Sequence, residues 1–329
     1  MVACSGSLFS LSHFFEACYC PHRFPGRETS ATAEDYRVQI RNLNAYCHTL
    51  GMPEARLSDL SSELLAGAVA WQIRRGRVAP TANKLARTIA AVWRYAHRRG
   101  MIDTLPAVDR LPELLKEPEC WSMDEFTRIL DAAERMTGTV GQVSSSVFWP
   151  ALLWTVLNTG SRISAVMRAP TSGLDLAGGW IKVPAEVQKH RKDMLFDLLP
   201  ETRQALIALA PVGRLDTVFG DWSHDRRSRG WRALTAGYRR ILRAAGLPDD
   251  RRDLWHKVRR TFATLIAAKG GESVAQSLLG HSSIHVTRRY LDQRKLERPS
   301  VVSLLDIPRG HRLRVYAEDD ASTQHEVSS

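Results

Sequence analysis

Leu278-Leu-Gly-His-Ser-Ser-Ile-His-Val-Thr-Arg-Arg-Tyr290 is the stretch on which the reading of this chain turns. It sets His281 directly after Gly280 and nine residues before Tyr290. Upstream lies His256-Lys-Val-Arg-Arg-Thr-Phe-Ala-Thr264, where His256 and Arg259, three apart, share one helix face. Further upstream, Trp180-Ile-Lys-Val-Pro184 and Met194-Leu-Phe-Asp-Leu-Leu199 flank a polar turn, Gln188-Lys-His-Arg-Lys-Asp193, and together predict a β-hairpin. The fourth segment, Thr159-Gly-Ser-Arg-Ile-Ser164, puts Arg162 just after a helix that ends near Gly160. Read singly, each has a bland alternative. Arg162 could be a surface arginine and Lys189 an exposed hairpin lysine. Many helices carry a His-x-x-Arg pair without using it, His281 could cap a helix, and Tyr290 could belong to the core.

The charge around these segments narrows the choice. From Trp222 to Arg260 there are 12 Lys+Arg and 4 Asp+Glu, a net of +8. Arg226, Arg227, Arg229, Arg232, Arg239, Arg240 and Arg243 concentrate there, with Trp222, Trp231 and Tyr238 between them. Basic residues interleaved with aromatics suit contact with a nucleic-acid backbone. The whole chain of 329 residues carries 46 Lys+Arg against 35 Asp+Glu, a formal charge of +11. Its pI is near 9.8. A chain this basic meets a polyanion more often than it merely carries a solvated basic surface. Arginine dominates, and its planar fork grips phosphate through two parallel hydrogen bonds, although a compositional bias of the gene would produce the same excess.

Five scattered cysteines, Cys4, Cys18, Cys20, Cys47 and Cys120, argue against a disulfide framework and for a reducing compartment. Cys18, Cys20 and His22 raise the question of zinc, but no second ligand pair follows at finger-like spacing. Met1 to Phe15 lacks the basic start of a signal peptide. The longest apolar stretch, Val147 to Leu157, is too short to span a bilayer. The expectation is a cytoplasmic protein without a membrane partner.

Apolar periodicity predicts helices over 33–50, 58–74 and from Pro80 to Gly100. The last of these also displays Lys84 and Arg87, where a solvated face and a DNA contact compete as explanations. Gly100, Pro106, Pro112 and Pro118 mark a linker. Ser122 with Glu125 three residues later is a capping box that opens the next helix. Domains are expected at 8–105 and 119–306, with a loose tail over 307–329.

The four segments, in this order and spacing, resemble the tyrosine recombinase (phage integrase) family. The family has an arginine after a Thr-Gly turn, a lysine in a β-hairpin, a His-x-x-Arg helix, and a Leu-Gly-His segment nine residues before a nucleophilic tyrosine. Matched motif by motif, Arg162, Lys189, His256, Arg259, His281 and Tyr290 take its catalytic positions. The match covers about Ser122 to Leu305, and extends more weakly to the N-terminal helices. It departs from the family at Ala165, where an acidic residue usually follows the first arginine by three positions; that puts rate or geometry in question more than identity. Lys192 shares the turn with Lys189, so the register of the lysine stays open.

The resemblance implies a fold that is mainly α with a small antiparallel hairpin or sheet. It would form a two-domain DNA clamp, a helical core-binding domain plus a catalytic domain. It implies cleavage and rejoining of double-stranded DNA through a 3′-phosphotyrosyl link, by four protomers on two duplexes, with residues 301–307 packed on a neighbour. Arg162 and Arg259 would hold the nonbridging oxygens of the scissile phosphate, where charge builds. Tyr290 would attack, with His256 as base and His281 donating to the phosphate. Lys189 would protonate the leaving 5′-oxygen. Two arginines would serve where other phosphoryl-transfer sites use magnesium, so no metal, cofactor or small-molecule substrate is expected. The rivals are a type IB topoisomerase, marked by supercoil relaxation without strand exchange, and a non-catalytic DNA-binding protein of the same fold.

Overall fold

The computed structural model describes residues 9–114, 116–209, 216–220 and 228–296. The chain divides into two compact units that meet in sequence between Lys116 and Glu117.

The first unit is helical. α1 (Leu11–Phe14) and α2 (Cys20–Arg23) are the ends of one run joined through a π turn at Phe15–Tyr19. α3 (Ala31–Thr49) starts on Ser30 and α4 (Ser62–Arg74) on Ser61; each serine hydroxyl accepts from the backbone N–H three residues on. α5 (Ala79–Arg98) opens with Pro80, whose missing N–H costs nothing in a first turn. The helix expected from Ser58 begins instead at Ser62. Leu57 and Leu60 are both buried on a separate 3-10 turn, and Ser61 supplies the cap. Leu43, Leu65, Leu85, Ile89 and Trp93 form the centre of this unit's core. The stretch expected to be a linker is partly fastened. The Asn83 amide donates to the Leu111 carbonyl at 2.9 Å, and its oxygen accepts from the Leu111 N–H at 3.0 Å. Cys20 is buried, with its sulfur 3.8 Å from the Arg37 guanidinium, and His22 packs on the Tyr95 ring. Among the described residues no three His, Cys, Asp or Glu side chains are grouped to hold a metal ion, and no helix is long and apolar enough to cross a membrane.

The second unit opens with α6 (Met123–Glu134), in which both hydrogen bonds of the Ser122–Glu125 capping box are made. A two-residue hairpin, β1 (Thr139–Val140) and β2 (Val143–Ser144), leads into α7 (Ser145–Thr159). α7 is the buried axis of the unit, packed by α6, by α9 (Pro200–Leu209) and by α11 (Trp255–Gly270). Leu152, Leu153 and Val156 of α7 meet Val258 of α11 in the main core, with Leu234 and Ile241 of α10 (Arg229–Ala244). α8 (Ile163–Val166) follows α7 after a tight turn. The expected hairpin is present as β4 (Trp180–Val183) and β5 (Met194–Asp197), antiparallel with Trp180 opposite Asp197. A short strand not anticipated from the sequence, β3 (Leu174–Asp175), adds to its edge. α12 (Glu272–Leu278) and α13 (Ile284–Arg288) complete the described part. The expected tail at 307–329 and the segment 301–307 lie outside the described residues.

Candidate active site

The site is assembled where three turns meet α11. α7 ends on Gly160 in the left-handed conformation, φ 55°, and a Cβ there would run into the Phe262 ring of α11. Glycine is therefore required twice over, by its backbone angle and by its neighbour. The Gly160 carbonyl accepts from Arg259 Nη1 at 2.5 Å, which ties the Thr-Gly turn to the His-x-x-Arg helix. Arg259 is 2% exposed. Its Nη2 reaches the Leu279 carbonyl at 3.2 Å and His281 Nε2 at 3.0 Å. Its Nε–H is buried with no partner among the described residues. Burial first, then the neighbouring Arg162 charge, push its pKa down to about 10, while Tyr290 opposes them. The group remains a cation at neutral pH.

An arginine has no acceptor, so the Arg259 contact fixes the state of His281: Nε2 accepts, and Nδ1 keeps the proton and donates to Thr287 Oγ1 at 3.0 Å. Burial, and then Arg259, Arg162 and His190, push the His281 pKa down to about 4. At neutral pH the ring is neutral. In this tautomer Nε2 has no hydrogen to give a phosphate, so the donation expected of His281 requires that nitrogen to gain a proton. The Tyr290 ring centroid lies 5.0 Å from that of His281 and 5.2 Å from Arg259 Cζ.

The segment that presents Tyr290 is fastened on both sides. Its N–H donates to the Thr287 carbonyl at 2.7 Å, and Leu291 and Asp292 behind it are fully buried. The Asp292 carboxylate accepts from the Cys120 N–H at 3.3 Å and from Arg294 at 2.8 Å. The Asp292 N–H donates to Thr264 Oγ1 at 3.0 Å. The Arg294 guanidinium and these hydrogen bonds hold the Asp292 carboxyl below the usual carboxylate range, so it is ionised at neutral pH.

Arg162 caps the start of α8, half-buried, and its charge acts on Arg259, His281 and His190. Arg162, Arg259, His281 and Tyr290 are thus gathered. Lys189 and His256 are exposed, the first in the hairpin turn, the second one helical turn before Arg259. The sequence reading missed two members. His190 lies against Gly280, and Thr287 holds Nδ1 of His281. A signal for both was present: His190 adjoins Lys189, and Thr287 falls between His281 and Tyr290. Ala165 is 2% exposed within an apolar cluster with Ala169, Ile181, Val183 and Phe196, so a carboxylate there would displace hydrocarbon.

Of the arginines expected at DNA, Arg226 and Arg227 lie outside the described residues. Arg229, Arg232, Arg239, Arg240 and Arg243 stand on α10. At 100° per residue they fall within an arc of about 100°, opposite the buried Leu234, Tyr238 and Ile241. Arg239 and Arg243 share Asp249, at 3.9 and 3.3 Å. In the first unit Lys84 pairs with Asp35 at 3.0 Å, and Arg87 is exposed. An arginine stripe, a buried guanidinium with an orphan donor and a tyrosine beside it can bind a phosphodiester and attack it.

Comparison with known proteins agrees in kind. Residues 121–297 match the model of the phage integrase family. The chain is 29% identical over 277 residues to the tyrosine recombinase XerC of Rhodospirillum centenum, covering 79% of this chain and 77% of that protein. In fold it is similar to a lambda integrase tetramer bound to a Holliday junction, with a TM-score of 0.63 and 20% identity, over 90% of this chain and 82% of that one. It is also similar to the Tn1549 transposon integrase in complex with a circular intermediate DNA, with a TM-score of 0.67 and 14% identity, over 90% and 98%.

Proposed function

The chain belongs to the phage integrase family and is a site-specific DNA recombinase, and on that premise we propose which of its residues carry the reaction. Tyr290 Oη attacks the scissile phosphorus, its proton passing to His256. The new O–P bond leaves a 3′-phosphotyrosyl link, and the bond from phosphorus to the 5′-oxygen breaks as Lys189 protonates that oxygen. The link conserves the phosphodiester's free energy, and the reverse sequence reseals the strand. Arg162 and Arg259 hold the nonbridging oxygens.

The observation that supports this reading best is Arg259. A buried cation with an unpartnered Nε–H, 5.2 Å from the Tyr290 ring, lacks the anion that a phosphate oxygen would supply. A phosphate also supplies the negative charge that the Ala165 position does not. Charge-assisted hydrogen bonds from fixed guanidinium groups favour the transition state because they are oriented before charge develops. The incoming phosphate raises the pKa of His281 and lets its Nε2 become a donor.

The unit up to Lys116, corresponding to the helical domain expected at 8–105, grips the duplex with Lys84 and Arg87. The arginines of α10 contact phosphates beside the site. The partner is double-stranded DNA, and the working form is a tetramer on two duplexes, in line with the lambda integrase assembly on a Holliday junction. Such a protein acts in the cytoplasm.

The test is covalent capture on a nicked suicide substrate carrying the cognate site. The wild type should form an adduct that survives denaturant. Tyr290→Phe should bind the same DNA with unchanged affinity and form none. An adduct formed by the Phe variant would assign the nucleophile elsewhere.

A further inference from the structure

The hairpin turn holds a residue that the reaction just described leaves unused. Lys189, Arg191 and Lys192 are all exposed, whereas His190 between them is drawn in. The turn is fastened at both ends. Gln188 is buried, with its side-chain amide on the Val183 carbonyl at 3.1 Å. Asp193 accepts from the Ala185 N–H at 2.7 Å and pairs with Lys182 at 2.7 Å. Between these ends Arg191 takes a positive φ, 52°, unique among the described non-glycine residues. That conformation is strained for a residue with a Cβ, and it persists only where the surroundings enforce it.

The kink turns the His190 ring onto Gly280. A Cβ at position 280 would lie 2.6 Å from His190 Nε2, 2.7 Å from Cε1 and 3.0 Å from Cδ2, so only glycine leaves room for the ring. His190 Nδ1 is buried and has no hydrogen-bond partner among the described residues. Packing, not hydrogen bonding, therefore seats it. Burial, then the charges of Arg162, Arg259 and Lys192, lower its pKa, so the seated ring is neutral at neutral pH.

We propose that His190 is a positioning residue: its ring docks the hairpin turn on Gly280, one residue before His281, and so holds Lys189 where the 5′-oxygen departs. The proposal rests on the reading of Lys189 as the general acid. A lysine on an undocked turn is spread over many positions, and a proton donor displaced by an ångström loses much of its effect. His190 acts by shortening the search of its neighbour.

The experiment compares single-turnover cleavage of two DNA substrates, one ordinary and one with sulfur in place of the bridging 5′-oxygen at the scissile position. An alkoxide, whose conjugate acid is about as weak as water with a pKa of about 15.7, needs a proton to leave. A thiolate, with a pKa of about 8.5, does not. Lys189→Ala should be slow on ordinary DNA by about 10² or more. His190→Ala should be slow by about tenfold, and both should recover to within about threefold of wild type on the sulfur substrate. The double variant should be no slower than Lys189→Ala alone, because a positioning effect vanishes once the positioned group is gone. Arg162→Ala should not recover on sulfur.

Wild-type rates for His190→Ala, or a defect that sulfur leaves in place, would overturn the proposal. If Lys192→Ala is rescued and Lys189→Ala is not, the acid is Lys192 and the reading of Lys189 fails; docking by His190 then stands only if His190→Ala is itself rescued. Rescue of neither lysine overturns both. DNA affinity reports whether each variant is folded, and His190→Asn carries the same comparison if the alanine variant is not.

Discussion

Thr287→Val removes one oxygen from the site and should disturb both its stability and its chemistry. Thr287 is fully buried, and its hydroxyl is the acceptor for the His281 Nδ1 proton at 3.0 Å. In the variant two outcomes compete. The ring keeps its proton on Nδ1 and buries an unpaired donor, at a cost of about 1–3 kcal/mol. Alternatively it moves the proton to Nε2, which then faces the Arg259 guanidinium donor to donor and loses a 3.0 Å hydrogen bond. The second costs at least as much, since the lost bond involves a charged group and is worth about 1.5–3 kcal/mol. The loss should therefore be about 1–3 kcal/mol by either route. For a unit of this size each kcal/mol lowers Tm by about 2–4 °C, so a drop of at least about 2 °C is expected. If about 1.4 kcal/mol of that loss reaches the transition state, single-turnover cleavage slows about tenfold. DNA affinity should stay near wild type, because the arginines remain. Nitrogen-15 spectra of the ring should show the Nδ1-protonated tautomer in the wild type and in Thr287→Ser, and its loss or broadening in Thr287→Val. Unchanged Tm and unchanged cleavage in Thr287→Val would refute the assigned tautomer and the chain of bonds built on it.

Two further outcomes follow from the charges. The folded-state pKa of His281 is about 4, below that of an unfolded chain, so between about pH 6.5 and 4 the unfolded state takes up a proton that the native state refuses. Stability should fall with pH across that window and the His281 contribution should level off below it; His281→Gln should make the slope of the urea midpoint against pH shallower, and parallel slopes would dismiss the buried neutral imidazole. On α10, Arg232 and Arg240 are exposed, and no ion pair to either is present among the described residues, whereas Arg239 and Arg243 share Asp249. The double change Arg232→Gln, Arg240→Gln should flatten the log–log salt dependence of DNA binding by about 1.8, so that raising salt from about 50 to 200 mM weakens the wild type about twelvefold more than the variant; an unaltered slope in an anisotropy titration would make the stripe a solvated face.

What was legible in the sequence and what was not divides by range. The Ser122–Glu125 box and the β4–β5 hairpin depend on neighbours within a few residues, and both stand in the structure as expected. The helix expected over 58–74 begins at Ser62 because burial of Leu57 and Leu60 draws the preceding residues into a separate turn, and Ser61 then caps the helix. β3 was missed because a two-residue strand carries no alternation to read. Family spacing pointed to Arg162, Arg259, His281 and Tyr290, and the structure brings these four together. Spacing could not show that Arg259 joins Gly160, 99 residues earlier, to His281, 22 residues later, since such contacts exist only once the chain is packed. For the same reason the contacts of His190 with Gly280 and of Thr287 with one nitrogen of His281 could not be read from the sequence. Asn83 likewise gave no hint that it fastens Leu111.

The buried Asp292 has a consequence once the tyrosine carries a strand. On the proposal that Tyr290 is the nucleophile, a DNA end joined to it would transmit any pull from the helix into the polypeptide two residues before that carboxylate. Asp292 is tied to the backbone of Cys120 and, through its own N–H, to Thr264 on α11, the helix that also bears Arg259. Tension on such a strand would then pass to the helix that carries the proposed phosphate ligand, so that the load would not lever the two apart. The severed end would so stay moored at the place where it can be resealed.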